Sequence, residues 1–280
     1  MARHWWIPVA AVAVVAGGAV AVAAASASPG LTHTAVETAA VGAPIASPSP
    51  VTPGHPMISS GGSSAASAAG NSAITRATKS TNWSGYAVHS SKYRNISATW
   101  IEPAAKCPLP KAKQYSAFWV GLDGYNSDSV EQTGTDSDCS GHTPHYYGWY
   151  EMFPAAPVFF KTLVKPGNEM SASVTFSGTD TYTLVLKNLS RGWTHTIVKQ
   201  ETGLARTSAE VITEAPSSSS GVLPLADFGT VTFSSVKVSG IPIKKLDPTE
   251  IVMADASGQA KDSTSAIAND KFHNTWIRRN

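Results

Sequence analysis

The sequence predicts an all-β fold, a sandwich or barrel of short strands, on three observations. Apolar and polar residues alternate with period two in several runs. Clusters of Gly, Pro, Asn and Asp separate those runs. No long stretch carries the 3.6-residue spacing of an amphipathic helix.

The N-terminal part is excluded from that fold. Arg3 and His4 precede an apolar run from Ile7 to Ala25, and Ala25-Ser26-Ala27 offers small residues for cleavage. This order reads as a secretory signal peptide over residues 1–27. The alternative is an uncleaved anchor, since the run approaches the ~20 residues that span a bilayer. It is disfavoured because Ala and Gly are weakly apolar and Pro29 follows directly. Residues 28–75 carry one acid, Glu37, no Lys or Arg and no aromatic residue, so they cannot build a core. They are a disordered spacer or a pro-segment, and composition leaves both open.

The β domain is expected over residues 76–280. Aromatic residues become frequent from Asn82, with Trp83, Tyr86, Tyr93 and Trp100. Ile96, Ala98 and Trp100 share one face of a strand. Met170, Ala172, Val174 and Phe176 share one face of the next, opposite hydroxyl residues. Residues 181–186 and 230–233 repeat the pattern. Turn signals fall at residues 166–168, 177–180 and 191–192. The part after Lys244 is opaque; Ile251, Met253, Phe272 and Trp276 belong either to last strands or to packing on the sandwich.

With 280 residues, 42% hydrophobic and 14% charged, the chain holds one good-sized domain plus appendages. A net charge of +2 gives no pull toward nucleic acid or acidic membranes. Cys107 and Cys139 are the only cysteines. Export to an oxidising compartment lets them pair as a disulfide. With no Cys-x-x-Cys, zinc or redox work is not expected.

Common hydrolase signatures are missing: no Gly-x-Ser-x-Gly, no His-Glu-x-x-His, no Asp-Thr-Gly or Asp-Ser-Gly. What remains is acids and an amide inside strand-like segments. These are residues 118–124, 130–136, 145–154 and 208–216. Val130, Gln132 and Gly134 share a face, as do Glu210, Ile212 and Glu214. Polar residues on an open antiparallel sheet are ordinary, so alternation alone leaves a structural role as the commoner explanation.

The order of motifs goes further. Asn82-Trp83-Ser84-Gly85, Ile96-Ser97-Ala98-Thr99-Trp100, Trp119-Val120-Gly121-Leu122-Asp123-Gly124, Gln132-Thr133-Gly134, Trp149-Tyr150-Glu151, Ala209-Glu210-Val211-Ile212-Thr213-Glu214 and Ala226-Asp227-Phe228-Gly229 follow one another. In this order they resemble the eqolisins, the glutamic peptidase family, over about residues 81–233. The resemblance implies a single-domain, concanavalin-like antiparallel sandwich of two large sheets with a groove on one face. It implies Gln132 and Glu214 as catalytic residues, with Glu214 rather than Glu210 as the acid. It places Trp119, Asp123, Asp136 and Glu151 along the groove, in contact with substrate. Asp123, followed by Gly124, also suits a plain turn. Two departures stand out: Tyr147 where the family carries an acid, and Ala215-Pro216 where it often continues Asp-Phe.

The chemistry suits these residue types. A carboxylate can activate a water and later return the proton to a leaving amine. A carboxamide cannot titrate, but its NH2 can donate to a developing oxyanion. The expectation is a secreted, monomeric acid endopeptidase acting on proteins or peptides. No metal or cofactor is expected, no nucleic acid partner, and no stable membrane association after signal cleavage. The alternatives are a carbohydrate-binding sandwich and a two-carboxylate glycosidase using Glu151 and Glu214. Asn82, Asn95 and Asn188 also head Asn-x-Ser triplets, a pattern common by chance.

Overall fold

A computed structural model describes residues 77–280. The segments expected as signal peptide and as spacer or pro-segment lie outside the described residues. The described chain is a sandwich of two large sheets, with nine strands in one and eight in the other.

The nine-stranded sheet runs in the order Ala77–Ser80, Thr249–Met253, Trp83–His89, Ser208–Glu214, Ala117–Leu122, Val130–Ser140, Thr143–Phe153 and Val158–Phe159, with Lys113–Gln114 paired to Val130–Ser140. All its pairs are antiparallel except the first, which is parallel. The second sheet runs Trp193–Gln200, Thr181–Asn188, Glu169–Gly178, Asn95–Ile101, Thr230–Val238, Lys271–Trp276 and Asp262–Thr264, with Ile241–Pro242 on Thr230–Val238. The C-terminal residues are thus last strands in both sheets.

Period-two patterning explains the second sheet directly. In Glu169–Gly178, the buried positions are Met170, Ala172, Val174 and Phe176, as the alternation requires. They meet Tyr86, Phe118, Val120, Leu122 and Val211 from the first sheet, with Trp100 and Phe233 alongside. Each such side chain, fully buried, stabilises the fold by roughly 1.5–3 kcal/mol relative to exposure.

The nine-stranded sheet is buried on both faces. Its central strands Ala117–Leu122 and Ser208–Glu214 are buried at every residue. The face turned away from the second sheet carries a separate apolar cluster of Trp83, Ala87, Ala117, Trp119, Val130, Trp149, Ile212 and Ile251. A sheet covered on both sides can hold polar side chains in dry surroundings, where hydrogen bonds and charges act strongly.

Cys107 and Cys139 form the expected disulfide, with Cα atoms 5.5 Å apart. It ties the 102–112 loop to the Val130–Ser140 strand. The three Asn-x-Ser asparagines are occupied internally. Asn82 and Asn188 are buried, and Asn95 donates to Thr175 Oγ1 at 2.7 Å and to the Val174 carbonyl.

Candidate active site

Register, not sequence distance, brings the site together. Three cross-strand rows cross the face that carries the second apolar cluster. One row holds Trp83, Glu214, Ala117, Asp136 and Tyr147. The next holds Ile212, Trp119, Gly134, Trp149 and Phe159. The third holds Glu210, Gly121, Gln132 and Glu151. Gln132 and Glu214 therefore share a face and sit two strands apart, in rows separated by Trp119.

Trp119 spans that separation. Its indole Nε1 donates to Glu214 Oε2 at 2.9 Å. The far edge of its ring lies over Gly121, where a Cβ would stand only 2.9 Å from the ring and 3.3 Å from Gln132 Cβ. Gly134 clears room on the other side, since a Cβ there would overlap the Phe118 carbonyl oxygen and stand 2.6 Å from Trp119 Cβ. Trp83 packs edge-on against the same indole, with ring centroids 4.9 Å apart. The Gly residues of Trp-Val-Gly and Gln-Thr-Gly are thus the spaces that seat one indole.

Glu214 is wholly buried, and Asn82 Nδ2 also reaches its Oε1 at 3.5 Å. These two N–H donors fix the position of the buried carboxylate. Gln132 is wholly buried as well, and its Nε2 donates to Glu151 Oε2 at 2.6 Å. Burial pushes the Glu151 carboxyl up to about 9; Gln132 pulls the other way, while Glu214 and Asp136 add to the rise. Asp136 accepts from Trp149 Nε1 at 2.6 Å, and burial pushes its carboxyl up against that bond.

Glu214, Gln132, Trp119, Glu151 and Asp136 are thus gathered on one face. Asp123 is not among them. It lies beyond the end of its strand, at the left-handed φ of 67°. Its carboxylate accepts from the backbone N–H of Arg206 at 2.6 Å and of Thr207 at 2.8 Å. That anchors the loop entering the Ser208–Glu214 strand, as a turn residue would.

Glu210 lies in the Gln132 row, wholly buried, rather than facing solvent. Sequence reasoning passed over four further groups. Asn82 acts through its side chain on Glu214. Glu102, beneath the sheet, accepts from Ser137 Oγ at 2.8 Å and from Thr135 Oγ1 and Trp100 Nε1. Glu131 and Asp138 are buried acids on the long Val130–Ser140 strand. The one available signal was alternation, which puts Glu131 opposite Gln132 but does not say that both faces are dry.

Residues 81–276 match the model of the Peptidase A4 family. The chain is 24% identical over 222 residues to Aspergillopepsin-2 of Aspergillus niger, covering 71% of this chain and 78% of that protein. A crystal structure of scytalido-glutamic peptidase with a transition state analogue inhibitor superposes with a TM-score of 0.61 at 25% identity, covering 70% of this chain and 98% of that one. SCP-B, a member of the eqolisin family solved with the tripeptide Ala-Ile-His, matches in fold with a TM-score of 0.57 at 24% identity, over 70% of this chain and 98% of that one.

Proposed function

The chain belongs to the Peptidase A4 family, and from that premise we propose that it is a secreted acid endopeptidase whose working pair is Glu214 and Gln132. Family membership makes it a glutamic-type peptidase with protein or peptide substrates. It sets aside the sugar-binding and glycosidase alternatives.

Glu214 takes a proton from a water whose oxygen attacks the scissile carbonyl carbon. The C–O bond forms and negative charge gathers on the carbonyl oxygen. An N–H of Gln132 donates to that oxyanion. Protonated Glu214 then passes its proton to the departing amine as the C–N bond breaks. Trp119 and Asn82 hold Glu214 in place. Asp136 and Trp149 form the wall beside it. The mechanism asks nothing of a metal or cofactor.

The observation that carries this reading is the shared face. A buried carboxylate with two N–H donors and a buried amide lie on one face of one sheet, in rows separated by the row of Trp119, whose indole spans the gap. Acid pH suits it, because general base and general acid are the two protonation states of one carboxyl. Residues 1–27 as signal peptide and the Cys107–Cys139 disulfide support export. The enzyme works as a monomer.

The test is casein cleavage at acid pH with pepstatin present. Glu214→Gln should abolish it, and Gln132→Ala should lower kcat by roughly 10²–10³-fold. Full activity in Glu214→Gln would remove Glu214 from the mechanism.

A further inference from the structure

Gln132 and Glu151 stand directly opposite each other on the paired strands Val130–Ser140 and Thr143–Phe153. Gln132 Nε2 donates to Glu151 Oε2 at 2.6 Å. The second oxygen of each group, Gln132 Oε1 and Glu151 Oε1, is buried without a hydrogen-bond partner. A buried acceptor left unpaired costs about 1–3 kcal/mol, and here there are two, one on each partner of a single hydrogen bond. An amide oxygen only accepts, and an ionised carboxylate only accepts, so neither can satisfy the other.

One proton resolves both. A carboxylic acid carries an O–H donor beside a carbonyl acceptor, and a carboxamide carries N–H beside a carbonyl acceptor. The two planar edges are complementary. Resting on the Gln132–Glu214 reading above, we propose that Glu151 works as a neutral carboxylic acid that locks the Gln132 amide in a two-way pair. Its O–H donates to Gln132 Oε1 while its carbonyl oxygen accepts from Nε2. The second N–H of Gln132 is left free and aimed, which is what an oxyanion donor requires.

The surroundings favour the proton. The titratable groups acting on Glu151 are acids: Glu214 from the Ser208–Glu214 strand and Asp136 from the Val130–Ser140 strand. No Lys or Arg takes part in the contacts of this pair among the described residues. Burial is the largest influence and raises the Glu151 carboxyl to about 9, so it holds its proton across the acid range. Glu151 is therefore a positioning residue, acting on the reaction through Gln132.

Three variants test this. Glu151→Met keeps the length and removes both hydrogen bonds. It should lower kcat about 10²-fold, the scale of a misplaced catalytic group, with little change in KM, because an oxyanion donor acts in the transition state. Glu151→Gln can form the same two-way pair, amide to amide, and should recover at least tenfold of that loss. Infrared difference spectra of wild type minus Glu151→Gln at about pH 6, where an ordinary carboxyl is ionised, should show a protonated-carboxyl stretch belonging to Glu151. Asp136→Asn serves as the control that leaves this band in place. A Glu151→Gln enzyme as slow as Glu151→Met, or a carboxylate band in place of the protonated one, overturns the proposal. A fully active Gln132→Ala enzyme instead overturns the Gln132–Glu214 reading beneath it.

Discussion

Raising the pH should unfold this protein well below the alkaline range. At least four carboxyls sit buried in the described residues with their proton affinity raised by loss of water. Burial lifts Glu102 to about 8 and Glu131 and Glu151 to about 9, and it lifts Glu210 strongly. For Glu131, Asp123 adds to the rise; for Glu210, Asp123 and Glu131 do. In the unfolded chain each would titrate near 4.3. A folded value raised above the unfolded one stabilises the fold fully below pH ~4.3, and the gain is lost as pH climbs toward the folded value. Between about pH 5.5 and 7 the folded state holds at least these four protons, and part of those on Asp136, Asp138 and Asp262, that the unfolded state has released. Each proton is worth about 1.4 kcal/mol per pH unit, so stability should fall by at least about 5 kcal/mol per unit. A domain stable by about 5–15 kcal/mol exhausts that within one to three units. Urea unfolding followed by Trp fluorescence at half-unit steps from pH 4 to 7 measures the slope directly. Glu131→Gln, which removes one of the four, should reduce the slope by about 1.4 kcal/mol per unit. A urea midpoint that stays level from pH 4 to 7 would refute the reasoning.

Gly134→Ala places a methyl against the Phe118 carbonyl and Trp119 Cβ. Overpacking of this kind costs about 1–3 kcal/mol or more, visible as a lower melting temperature, and it should also displace the Trp119 indole and depress kcat. Trp119→Phe keeps most of the ring but deletes the N–H that reaches Glu214 at 2.9 Å. Its kcat should fall about tenfold or more while thermal stability changes less than in Gly134→Ala. Replacing Cys107 and Cys139 by Ala should cost roughly 2–4 kcal/mol in urea titrations at acid pH, with kcat retained at temperatures where the variant stays folded.

Strand existence was legible where one face of a strand is apolar and the other is wet. Residues 96–101, 170–176 and 181–186 announce themselves because their sheet packs on one side only. Trp193–Gln200 went unnoticed because its alternation sets half-buried Trp193, His195 and Ile197 against exposed positions, a weak contrast at a sheet edge. Pairing was not legible at all. The chain brings residue 83 beside residue 214 and residue 132 beside residue 151, and period two carries no information about which strands meet.

The same physics governs what could be read of the site. Alternation groups Glu210, Ile212 and Glu214 but treats the two acids alike. What separates them is the partner each meets across the sheet. Glu214 falls in the row of Ala117 and Asp136, where the Trp119 indole N–H and the Asn82 amide can reach it. Glu210 falls beside Gly121, where burial and then the neighbouring Asp123 and Glu131 raise its proton affinity. The Glu214 carboxyl is thus held by side chains 95 and 132 positions distant in the chain. The ordered family motifs preserve the outcome of that arrangement, which is why they single out Glu214, while the cause is visible only in the register.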